Sequence, residues 1–326
     1  LELRMRNALR EGDKNCCGVT LTQSTGITAC LEQIRQHPFW QGREDWKKRA
    51  GKFRKRGIGL AAVFNAMGYG RGLPDSAIAK VELTREGNIR VYCGVSDMGQ
   101  GNATAFAQIA GSILSQENSS MEIVLPDTDR TLPSGSAAAS RTTYTYGNAL
   151  IKASEELSRR ITGWAAMMLL ADDPDDLELL PGRVNHKKTG REILLKDIGA
   201  VMMDEIRICV SQFIMPVVKE PIETGKEFFI GFPHLLFSYG AHLTGVEVDE
   251  LTGELEVKTY IAATDAGRVM NPQVYEQQVH GSVVQGLGYA LSEKVILKEG
   301  GIITPDLATY IIPGTLDVPD IESLVA

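Results

Sequence analysis

One order of features occurs twice in this chain: strand, glycine turn, strand, [Ser/Thr]-Asp-x-Gly, helix. That repetition constrains the fold more than any figure of composition. In the first copy, Ala77 to Leu83 reads as a strand, Glu86-Gly87-Asn88 as a hairpin turn, and Ile89 to Val95 as its partner strand. Ser96-Asp97-Met98-Gly99 then leads into a helix over 102–116. In the second copy, His242 to Asp249 is a strand, Glu250-Leu251-Thr252-Gly253 a turn and Glu254 to Ala263 a strand. Thr264-Asp265-Ala266-Gly267 precedes a helix from Pro272 to about Leu291. Asp97 and Asp265 lie 168 positions apart, far too long a period for a solenoid. The expectation is an internal duplication of α+β class with mixed sheets, each half-domain presenting a helix N-terminus to a shared cleft.

The first junction is the more informative. Val91, Tyr92, Cys93 and Val95 suit a pleated strand, whereas Phe106, Ile109, Ala110, Ile113 and Leu114 recur at helical spacing. The period therefore switches across Met98-Gly99-Gln100-Gly101, with Asn102 as the expected N-cap. Glycines there permit positive φ and close approach of a ligand, and helix N-terminal N–H groups attract anions. A tight βα turn without a ligand is the simpler reading of these residues alone. A second loop of small and hydroxyl residues, Leu132 to Thr143, also runs into a helix, expected from about Tyr146 to Leu170. Hydroxyls and successive N–H groups can form an anion nest.

With 326 residues the chain can hold two domains or one large duplicated one. Its net charge of −7 argues against a general nucleic-acid binder. No uncharged apolar run reaches the roughly 20 residues that span a bilayer. Five cysteines without CxxC spacing give neither a disulfide framework nor a cluster signature, which fits a reducing cytoplasm. The five scattered histidines form no metal-ligand pair, so no side chain is assigned to a metal. Eight basic residues between Arg43 and Arg56 read as a solvated connecting helix rather than a phosphate patch, and a domain boundary is expected there. The expected division is 1–53 as a segment linking from an upstream domain, 54–210 as the first half-domain and 211–326 as the second. Within it, Ile58 to Phe64 reads as a buried strand, and 211–232 as a linker or an active-site cover. The first residues read as the middle of a helix, as in a piece of a longer chain.

Met98-Gly99-Gln100-Gly101, the run Ala138-Ala139-Ser140-Arg141-Thr142-Thr143 before a helix, and the stretch from Gln278 to Gly288 occur in one order. Together they resemble the molybdopterin-binding region of the xanthine dehydrogenase and aldehyde oxidase family of molybdenum hydroxylases. The resemblance runs from Lys55 to the end, about five-sixths of the chain. It implies that Gly99, Gln100, Gly101 and the start of the following helix contact the pterin and its phosphate. It likewise implies that Ala139, Ser140, Arg141, Thr142 and Thr143 line the cofactor, and that Gln278 hydrogen-bonds the pterin. Tyr69 falls near an aromatic position that packs against flat substrates.

The implied cofactor is molybdenum–molybdopterin, with or without a nucleotide. The implied reaction is hydroxylation of an N-heterocycle or aldehyde carbon with water-derived oxygen. Electrons would leave through iron–sulfur clusters and FAD held by partner domains or subunits, in a hetero-oligomer. The family's general-base glutamate, in a Gly-x-Gly-Glu motif, would lie beyond Ala326, so no catalytic residue is assigned and the fragment alone should lack activity. The alternative is a scaffold that kept the duplicated fold without binding cofactor.

Overall fold

The computed structural model describes residues 1–219 and 233–326, and the chain separates into two compact units. The flanking unit takes residues 1–66 and 235–326. The central unit takes 67–219 with 233–234. The division therefore falls at 66/67, not at 53/54, and residues 1–53 belong with the C-terminal part of the chain. Residues 220–232 of the expected linker or cover lie outside the described residues, whereas 211–214 form the end of a strand.

In the central unit, β2 (Ser76–Leu83) and β3 (Ile89–Tyr92) form the expected hairpin, and Gly87 takes φ +88 at its turn. A Cβ at Gly87 would overlap the Lys196 backbone, so glycine is required there twice over. Helix α5 (Asn102–Leu114) carries the chain across to β4 (Met121–Val124), which is parallel to β3, and β8 (Ile208–Ile214) joins antiparallel to β2. The sheet order is β4-β3-β2-β8. Alternation along β2 puts Ala77, Ala79, Val81 and Leu83 wholly inside, against α6 (Thr142–Leu169). Small hairpin strands β5 (Leu177–Leu180), β6 (Arg183–His186) and β7 (Glu192–Leu194) follow, then α7 (Leu195–Val201) and α8 (Asp204–Arg207).

The flanking unit has the same strand order. β1 (Arg54–Ala66) pairs antiparallel with β9 (Phe237–Asp249), which pairs antiparallel with β10 (Leu255–Asp265). β13 (Ile321–Val325) then lies parallel to β10. The order β1-β9-β10-β13 thus matches β8-β2-β3-β4, with the parallel strand at the same end. Helix α2 (Ile27–Gln36) buries Ile27, Cys30, Leu31 and Ile34 against Tyr239, Ala241, Leu243, Ile261 and Ala263. Around it stand α1 (Glu2–Asn7), α3 (Pro38–Gln41) and α4 (Arg43–Lys48). Helix α9 (Pro272–Leu291) and the short β11 (Leu297–Lys298) and β12 (Gly301–Ile302) complete the unit.

Two expectations fail here for physical reasons. Among the described residues β1 is an edge strand: Ile58, Leu60 and Ala62 pack toward α2, while Gly59, Ala61 and Val63 are exposed. The basic run is no boundary, because its charges are used within the unit. Arg43 stacks on Trp40 at 4.1 Å, Arg54 pairs with Asp249 at 3.0 Å, and Arg56 pairs with Glu247 at 2.6 Å while lying over Trp46.

Candidate functional site

The register fixes where the two small-residue loops meet. β2 enters and β3, β4 and β8 leave at one edge of the central sheet, since Lys80 pairs with Tyr92, Tyr92 with Val124 and Ser76 with Ile214. Segments 67–75, 94–101 and 125–141 therefore gather along that edge. They are also in contact. Gly68 N–H donates to Ala139 O at 2.8 Å, and a Cβ at Gly94 would overlap Leu132 O. Phe106 and Tyr146, one turn into α5 and α6, have ring centroids 4.5 Å apart, so the two helices start side by side.

The α5 N-terminus is not arranged as the sequence suggests. The N-cap is Gly101, at φ +80 in the left-handed region, and Asn102 is the first helical residue, its Nδ2 donating to Ser96 O at 3.3 Å. The anion at this helix end is Asp97. Its carboxylate accepts from Gly99 N at 2.9 Å, Gly101 N at 3.3 Å and Ala103 N at 3.1 Å. Burial disfavours the charged form, but the N–H groups of Ala103, Gly99, Gly101 and Asn102 outweigh it and hold the carboxyl below the usual range. Gln100 is turned back on its own loop: Oε1 accepts from Met98 N at 2.6 Å and Nε2 donates to Ser96 O at 2.9 Å. Above Gly99, at φ +104, an added Cβ would meet nothing within 4 Å, so the backbone there can be approached closely.

The second loop is held from below. Ala139 and Ser140 both take positive φ, +56 and +51, and expose their small side chains. Arg141 is 1% exposed, the largest of the fully buried side chains. Its Nε donates to Asp75, Nη1 to Ser136 O at 3.2 Å and Nη2 to Ser76 O at 2.8 Å. Asp75 in turn accepts from Tyr69 N at 3.0 Å. The Tyr69 ring lies 5.3 Å from the guanidinium, and its hydroxyl bonds Ser136 Oγ. Thr142 and Thr143 open α6, whose N-terminus has no side-chain cap. Nearby Cys93 is pushed up to about 11 by burial and remains a thiol.

One edge thus unites Tyr69, Gly99, Gln100, Gly101, Ala139, Ser140, Arg141, Thr142 and Thr143. Gln278 is an exposed residue of α9, in the flanking unit. Asp75 belongs to none of the motifs legible in the sequence, and Asp97 stands out there only as a marker of the repeat. An arginine inside a run of alanines and serines is the available signal, since a buried guanidinium requires an acidic partner.

Small residues at both loops, an uncapped α6 and a backbone open at Gly99 suit a flat, anionic group bound by main-chain N–H donors. The chain belongs to the molybdopterin cofactor-binding domain family, whose model matches residues 33–319. It is 28% identical over 326 residues to a probable xanthine dehydrogenase subunit of Bacillus subtilis, covering 99% of this chain and 41% of that one. It is 30% identical over 296 residues to a 6-hydroxypseudooxynicotine dehydrogenase complex subunit gamma of Paenarthrobacter nicotinovorans, covering 90% of this chain and 36% of that one. Its fold superposes on quinoline 2-oxidoreductase from Pseudomonas putida 86 with a TM-score of 0.80 at 22% identity, over 100% of this chain and 42% of that one. The chain therefore spans about two-fifths of the length of these relatives. No helix among the described residues is long and apolar enough to cross a membrane.

Proposed function

We propose that this chain is the cofactor-gripping portion of a molybdenum hydroxylase acting on an N-heterocycle or an aldehyde. The observation that carries the reading is the meeting of two small-residue loops at one sheet edge, one of them held rigidly from beneath by Arg141 and Asp75. The N–H groups opening α6, at Thr142 and Thr143, would take the phosphate, because the α5 terminus is already filled by Asp97. Gly99 and Gly101 would let the pterin approach the main chain, and Gln100 would exchange its loop bonds for the ligand. Ala139 and Ser140 would border the cofactor, Gln278 would contribute a further amide, and Tyr69 would face a flat substrate. When bound, the molybdenum–pterin group supplies two-electron oxidation of a carbon centre with oxygen from water.

The residues of this chain bind and orient. Arg141 fixes the loop backbone without touching the ligand, and the small side chains admit it. A general base, iron–sulfur clusters and FAD would come from other segments or subunits, in a hetero-oligomer of the cytoplasm. That two relatives are named as subunits supports this arrangement.

Metal and pterin analysis of the full-length protein from a cofactor-competent host tests the reading. Stoichiometric molybdenum is expected, and its absence would leave the scaffold reading in place. Gln100→Ala should lower occupancy by the loss of a hydrogen bond, roughly 1 to 3 kcal/mol. Full occupancy in that variant would remove Gln100 from the site.

A further inference from the structure

A second site lies in the flanking unit, away from every motif used so far. Residues 15–18 form a tight turn in which Gly18 N–H donates to Asn15 O at 2.9 Å, closed by the Lys14–Thr20 bridge. The buried Asn15 side chain accepts from Cys17 N at 2.9 Å and Val19 N at 3.1 Å, and Gly18 takes φ +76. The two residues at the tip are Cys16 and Cys17. Cys16 is exposed and Cys17 half-buried, and the tight turn sets these sequence neighbours close enough for Cys16 to act on the Cys17 thiol. Two soft donors are thus held side by side at the tip of a turn closed by main-chain bonds and the Asn15 side chain.

The covalent geometry decides what such a pair can do. Neighbouring Cα atoms are about 3.8 Å apart across a trans peptide, below the roughly 4.4–6.8 Å span of relaxed disulfides. A direct S–S bond between them is therefore strained. An atom inserted between the sulfurs relieves that constraint, and sulfur ligands select soft ions. Burial, and then the neighbouring Cys16, raise the Cys17 pKa, which lowers its thiolate fraction and slows ordinary disulfide exchange.

We propose that Cys16 and Cys17 form a bidentate thiol site for a soft, thiophilic metal or metalloid ion, with trivalent arsenic as the type ligand. With phenylarsine oxide the step balances without a redox partner. Two S–H and one As=O become two As–S bonds and one water, and arsenic stays trivalent.

The test treats the native full-length protein with phenylarsine oxide, washes with excess monothiol, and maps retained adducts by peptide mass spectrometry. One adduct at Cys16–Cys17 should survive the monothiol and be removed by a dithiol. Cys16→Ser and Cys17→Ser should each retain at least tenfold less there, with an unfolding midpoint equal to that of the parent. Equal retention in either variant, or no adduct on the native protein, would overturn the site.

Discussion

The two units share a strand order and differ in what stands at the ends of the strands. After β3, Asp97 is spent on three N–H groups at the start of its own helix. After β10, Asp265 bonds Gly267 N at 2.9 Å, and its helix is capped instead by Asn271, whose Oδ1 accepts from Val274 N at 3.1 Å. The Asp265 side chain packs on Gly26, at the N-terminus of α2. The sheet faces turned away from α6 and α2 diverge as well. The central one carries Lys80 over Tyr92 and the ion pairs of Arg90 with Glu82 and Glu122. The flanking one has Gly59, Ala61, Thr244 and the His242–Tyr260 pair around a cavity of about 260 Å³. Topology was duplicated, but the polar chemistry at corresponding places was not.

The largest test of that contrast is the buried pair. Arg141→Met should cost about 3–5 kcal/mol in urea unfolding, because Asp75 would be left buried without its ion-pair partner. Arg56→Met, which breaks the more accessible pair with Glu247, should cost clearly less. Equal losses would end the claim that burial makes the central pair the costlier one to break. Next comes Gly26→Ala, where the new methyl would overlap Asp265. About 1–3 kcal/mol of overpacking is expected in thermal unfolding, against about 1–2 kcal/mol of backbone strain alone for Gly99→Ala, which meets open space at φ +104.

The smallest effect separates the two aspartates. Asp97→Ala should cost about 1 kcal/mol, as the loss of a helix cap does, while Asp265→Ala should leave α9 unchanged. Asp97 has a depressed folded pKa, so its contribution is present above the unfolded carboxyl value, near pH 4, and is lost as pH falls through the folded value. Exchange of the Ala103 amide should therefore accelerate in acid in the parent protein and show no such step in Asp97→Ala.

Much of this was legible because period and turn chemistry are local. The β2–β3 hairpin, α5 and the start of α9 stand close to where alternation, glycines and proline put them. What escaped was long-range. Nothing in Ile58 to Phe64 marks an edge strand, since apolar runs look alike whether one or both faces are covered. The unit boundary escaped for the same reason, as β1 pairs with residues nearly two hundred positions away. In the site, the loops were visible as small-residue runs. That Asp97 fills a helix end and Arg141 lies beneath its loop depends on side-chain direction, which spacing does not encode.

The position of β1 has a consequence for synthesis. Its register, Arg54 with Asp249 through Ala66 with Phe237, means that the flanking sheet cannot close until the ribosome has passed Asp249. The central sheet needs nothing beyond Ile214 and can form earlier, as an insertion folding within an unfinished host. During that interval β1 waits as an unpaired strand. The charges of Arg54, Lys55 and Arg56 at its start are what a waiting strand needs to resist pairing with a neighbour on the same polysome.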